Sequence, residues 1–167
     1  GYYYLLAKRV NSGVIDDNGV MRGQENFEVP AKEDGSVDLT VQSSKYLWYF
    51  SPVEGKKDTY LVKNYGTDRY VNTSEYNDDY GIRTGEFEKA VGYTISYHSQ
   101  HPGTVMVCNY DEEGALTSAW NIFSGNDEGE GSGIYHIGNW YHPSGNLELD
   151  EGNFFYLYGV AEELVDA

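Results

Sequence analysis

Cysteine is almost missing: Cys108 is the one copy in 167 residues, so no disulfide can form within the chain. A disulfide-stapled scaffold is therefore excluded, and the fold must rest on burial and hydrogen bonding. Positive charge is also scarce. Eleven Lys and Arg face 27 Asp and Glu, a formal charge of -16. Such a field repels phosphate backbones and anionic lipid, which argues against nucleic-acid binding. No apolar run is long enough to cross a bilayer, so membrane insertion is not expected. Proline is limited to 4 residues, and no segment carries the 3.6-residue apolar rhythm of an amphipathic helix.

What the chain does have is tyrosine and glycine, 17 and 20 residues respectively. Tyr, Val, Thr and Gly together favour short strands and tight turns. A chain of this length fits one domain, 1–167, with a sizeable core. It opens directly on "GYYYLL", without an initiator Met or a basic-then-apolar leader. That start is expected of a domain excised from a larger secreted or surface protein.

The chain repeats itself. Asn64 and Asn109 lie 45 residues apart, and "YLVKNYG" (60–66) aligns with "VMVCNYD" (105–111). The same offset lays "WYF" (48–50) over "YTI" (93–95), and Val71-Asn72 over Leu116-Thr117. A shift of 57 lays "YYLLA" (3–7) over "YLVKN" (60–64), with Val14 under Val71. "FYLYGV" (155–160) supplies a third closing strand. Closing strands thus start near 48, 93 and 155, and the long last interval points to an insertion within 124–146. Three units follow, about 1–56, 57–101 and 102–162, each with about four short strands.

Such a pattern predicts an all-β fold and resembles a β-trefoil, with another β-barrel or a β-sandwich as the rival architecture. An aromatic-x-apolar run closes each unit, and a Gly-containing turn with "YLVKN" follows it. Both features resemble the ricin-B-like trefoil modules, a family of carbohydrate-binding domains. That family's Gln-x-Trp mark has no counterpart, the nearest stretches being "YLW" (46–48) and "SAW" (118–120). The resemblance implies twelve strands in a six-stranded barrel with three capping hairpins. It also implies a lectin-like role with no catalysis and no cofactor.

Residues suited to chemistry give a sparse picture. Cys108 lies in the strand-like "TVMVCNY", a setting for a packed thiol and not for a nucleophile. His98, His101, His136 and His142 form no zinc-type motif, and no acidic loop has calcium-loop spacing. No catalytic or metal-binding residue is assigned. Sugar recognition needs an aromatic face for the C–H side of a ring and polar forks for its hydroxyls. "NWYHPSGN" (139–146) offers Asn139, Trp140, Tyr141 and His142, and "EYNDDYG" (75–81) offers Tyr76, Asp79 and Tyr80. These seven residues are the expected ligand contacts, and a neutral glycan is the expected partner of a monomeric domain. The alternative is a protein-binding trefoil, such as a protease inhibitor or adhesion domain, using the loop "SPVEGKKD" (51–58).

Overall fold

A computed structural model of the chain describes residues 1–9, 12–17, 21–25, 32–34, 44–72, 82–122, 134–140 and 150–165. For 12–17, 22–25, 134 and 136 it describes the backbone. The first unit supplies β1 (Tyr2–Ala7), β2 (Ser12–Asp17), β3 (Met21–Glu25) and β4 (Leu47–Pro52). The second supplies β5 (Thr59–Asn64), β6 (Tyr70–Val71), β7 (Thr84–Gly85) and β8 (Tyr93–Ser96). The third supplies β9 (Met106–Tyr110), β10 (Leu116–Ile122), β11 (Ile134–Trp140) and β12 (Phe155–Val160). Among the described residues, helical structure is confined to short turns such as Glu162–Val165.

Antiparallel pairing closes a ring. β1 pairs with β12 and β4, β5 with β4 and β8, and β9 with β8. A Val105–Phe155 bridge joins β9 to β12 and completes a six-stranded barrel. Hairpins β2–β3, β6–β7 and β10–β11 lie outside that ring. Backbone bonds from Met21 N to Ile82 O, 2.9 Å, and from Ile82 N to Ile137 O, 2.7 Å, link the three hairpin regions. This is a β-trefoil. A sandwich or an up-and-down barrel would not place three hairpins outside a six-stranded closure.

The register repeats as well. Tyr3 faces Trp48, Tyr60 faces Tyr93, and Val105 faces Phe155. On the other side of each closing strand, Phe50 faces Val62, Ile95 faces Val107, and Leu157 faces Leu5. These are the positions that the sequence offsets superpose. Alternation sends Trp48, Tyr93 and Phe155 inward to one layer, where each is 0% exposed. Leu5, Val62 and Val107, also 0% exposed, form the next. Each such side chain contributes about 1.5–3 kcal/mol by leaving water. Ile95 and Leu157 are packed against this core but only partly buried, unlike Phe50. They sit at the barrel mouth, where no further layer of described residues covers them. The insertion expected within 124–146 lies largely outside the described residues.

Candidate functional site

Of the seven residues expected at a ligand, two lie among the described residues. Tyr76, Asp79, Tyr80, Tyr141 and His142 lie outside the described residues. Asn139 and Trp140 end β11, on opposite faces of the strand by its alternation. Asn139 is turned inward, 1% exposed, and its Nδ2 donates to the Tyr93 hydroxyl at 3.4 Å. It supports the core instead of facing solvent. Trp140 is half-buried. Burial pushes the Tyr93 phenol up to about 12, although the N–H groups of Asn139 and Trp120 pull the other way.

Other sequence candidates resolve into structural roles. Cys108 is fully buried beside Met106, Ala119 and Phe154. The His101 ring stacks on Phe154, centroids 3.8 Å apart, and its Nδ1 lies 2.9 Å from Lys8 Nζ. Burial, then the Lys8 charge, lowers the His101 pKa. Among the described residues no three His, Cys, Asp or Glu converge as metal ligands. In "DEEG", Asp111 Oδ1 accepts from the N–H of Glu113 and of Ala115, both at 2.9 Å, which makes a self-satisfied turn.

A site with the required chemistry forms elsewhere, on the outer wall of the barrel. Tyr2, Ser44, Tyr49, Lys63, Tyr65 and Asp68 line a groove of about 580 Å³. That volume lies in the range of small-ligand clefts. Pairing builds its floor: Tyr2 faces Tyr49, and Tyr49 faces Lys63, so three neighbouring strands present one row. The Tyr2 ring lies 4.8 Å from Tyr49 at 47° and 5.8 Å from Tyr65 at 77°. Beside them Lys63 Nζ and Asp68 Oδ1 are 3.1 Å apart. Burial of its stem pulls the Lys63 ammonium down. The hydrogen bond and charge of Asp68 more than offset this, so its pKa lies above the ordinary lysine value.

A buried asparagine shapes the polar rim. Asn64 is 0% exposed. Its Oδ1 accepts from Gly66 N at 3.0 Å, Thr67 N at 3.1 Å and Thr67 Oγ1 at 3.3 Å. Its Nδ2 donates to Lys45 O at 2.6 Å, tying the 65–68 turn to the segment before β4. Gly66 makes that contact feasible, since a Cβ there would meet Ser44 C at 2.7 Å and Lys45 N at 2.8 Å. Asp68 takes a left-handed φ of 61° and presents its carboxylate outward, 81% exposed. The groove therefore joins aromatic faces to an adjacent donor and acceptor.

Neither a protein-family model nor a curated protein sequence matches the chain. Solved structures do. The designed threefold-symmetric protein ThreeFoil aligns with 95% of this chain and 99% of its own, at TM-score 0.51 and 11% identity. A mosquitocidal holotoxin aligns with 98% of this chain at TM-score 0.55 and 11% identity. A Polyporus squamosus lectin, bound to the human-type influenza-binding epitope Neu5Aca2-6Galb1-4GlcNAc, aligns with 94% at TM-score 0.52 and 14% identity. The chain spans 18% of the holotoxin chain and 48% of the lectin chain. At such identities the likeness is one of fold, the β-trefoil.

Proposed function

We propose that this domain is a non-catalytic glycan-binding module and that the Tyr2–Tyr49–Tyr65 groove is its site. The observation that carries the reading is the pairing of three tyrosine rings with the Lys63–Asp68 pair in one cleft. A pyranose stacks its C–H face on a tyrosine ring, while Asp68 accepts from and Lys63 donates to vicinal hydroxyls. The net charge of -16 favours a neutral glycan over a sulfated or uronic one. The fold likeness to a glycan-bound lectin adds support. Sugar hydroxyls here exchange water for similar partners, so affinity is modest, with Kd about 10 μM to 1 mM. Avidity then comes from a larger secreted or surface protein carrying several such sites. Among the described residues no helix is long and apolar enough to cross a membrane.

The test is calorimetric titration with a panel of neutral oligosaccharides, using wild type, Asp68→Asn, Tyr65→Ala and Trp140→Ala. Asn keeps the left-handed backbone at 68, so the first variant isolates the charge. The two groove variants are expected to weaken binding about tenfold each, with Trp140→Ala unchanged. Binding lost only in Trp140→Ala would move the site to the 139–146 loop. No binding by any sugar, together with a captured protein partner, would transfer the function to the protein-binding alternative. In that case the exposed Lys56 and Lys57 turn would be tested first.

A further inference from the structure

The barrel opens at the end away from the hairpins. Phe50, Ile95 and Leu157 stand there at one register level, one from each closing strand. Together with Tyr3, Asp58, Tyr60 and Tyr97 they line a cavity of about 120 Å³. This is below the size of pockets that engulf a whole small ligand, and equals roughly four waters at about 30 Å³ each. It has room for a compact headgroup. Its position is on the barrel axis, apart from the groove on the outer wall.

The walls are aromatic and steeply inclined. Phe50 meets Tyr3 at 5.3 Å and 73°, and Tyr60 at 6.1 Å and 61°. The rings of Tyr3, Phe50, Tyr60 and Tyr97 thus line one cavity. A flat ligand needs parallel faces, whereas a tetrahedral cation meets π-faces in several directions at once. Tyr97 completes the rim and is 80% exposed. Asp58 supplies the one carboxylate among the lining residues. The rim is held in place. Ile95 N donates to Asp58 O at 2.8 Å, and the Thr59 and Thr94 hydroxyls meet at 2.9 Å. Lys56 and Lys57 precede Asp58 on the same turn but do not line the cavity. The Gly1 ammonium is committed to Phe50 O at 2.8 Å.

We infer that this mouth is an aromatic cage for a methylated ammonium group, of the kind carried by choline or trimethyl-lysine. Each ring face attracts the cation, Asp58 neutralises it, and the acidic surface concentrates it. A quaternary ammonium has no N–H to satisfy, so the cage needs no hydrogen-bond acceptor on its floor, where Ile95 and Leu157 lie.

Choline is the probe, and its neutral carbon isostere, 3,3-dimethylbutan-1-ol, is the control. Binding is followed by the proton NMR shift of the ligand methyls, which ring currents move upfield inside the cage. Choline is expected to bind saturably with a Kd on the order of 1 mM, and the isostere at least about tenfold more weakly. Tyr97→Leu keeps bulk and removes the π-face; it should weaken choline about fivefold. Asp58→Asn should weaken it about threefold. At φ 52° Asn is well tolerated, and both side chains are exposed, so each variant is expected to keep the wild-type melting temperature. Equal binding of the isostere would make the mouth a plain apolar pocket and overturn the inference. A saturation curve unchanged in both variants, or no saturable shift, would overturn it too.

Discussion

Replacing Asn64 by Ala removes the side chain that frames the proposed groove. Four hydrogen bonds go: one to Lys45 O at 2.6 Å, and three from Gly66 N, Thr67 N and Thr67 Oγ1 at 3.0, 3.1 and 3.3 Å. A net 0.5–1.5 kcal/mol for each gives about 2–6 kcal/mol. Gly66 is exposed, so water re-solvates part of the freed turn, and the expected loss is about 2–4 kcal/mol. That is a large share of an ordinary domain's 5–15 kcal/mol, approximately. The fold contains its own control. Asn109 holds the matching position in the next unit, yet it is half-buried and, among the described residues, its side chain makes one such bond, to Ser118 Oγ at 3.1 Å. Asn109→Ala should therefore cost about 1 kcal/mol or less. Urea unfolding followed by tryptophan fluorescence measures both, and the midpoint should move without a change in slope. Equal losses at the two sites, or less than about 1 kcal/mol at Asn64, would refute this account of the turn. With stability corrected for, Asn64→Ala should also weaken any glycan bound in the groove, because Tyr65 and Asp68 lose their anchor.

Two further outcomes test the core. Trp48 is 0% exposed, so Trp48→Ala should cost about 3–5 kcal/mol in the same assay; a loss below about 1 kcal/mol would contradict its place in the barrel layer. Tyr93 is held neutral by burial, with its pKa raised from 10.0 to about 12. The unfolded phenol ionises first, so this contribution is full below pH 10 and is lost as pH rises to about 12. A two-unit shift corresponds to about 3 kcal/mol, and Tyr93→Phe should remove that part of the alkaline instability seen in melts between those pH values.

The trefoil was legible because its signal is local and repeated. Apolar residues two apart in "WYF" and "YTI" mark an inward face, and the 45-residue offset brings Trp48 onto Tyr93 and Val62 onto Val107. Inward positions of a closed barrel strongly favour apolar groups, so the sequence by itself determined the threefold layout and most of the buried layer. The groove was not legible in this way. Tyr2, Tyr49 and Lys63 are each an ordinary outward residue on a different strand, with Tyr65 just past the third, and their signal was only that aromatics fill outward positions on neighbouring strands. Strand register decides that Tyr2, Tyr49 and Lys63 form one row. Asn139 shows the converse. Its polar, turn-flanking setting marked it as a ligand contact, but the alternation of β11 sends it inward to Tyr93. The barrel mouth likewise needed closure, since only the ring of six strands brings Tyr3, Phe50, Tyr60 and Leu157 around one cavity. Burial is chosen residue by residue and can be read along a chain, whereas a site depends on which faces pairing sets side by side.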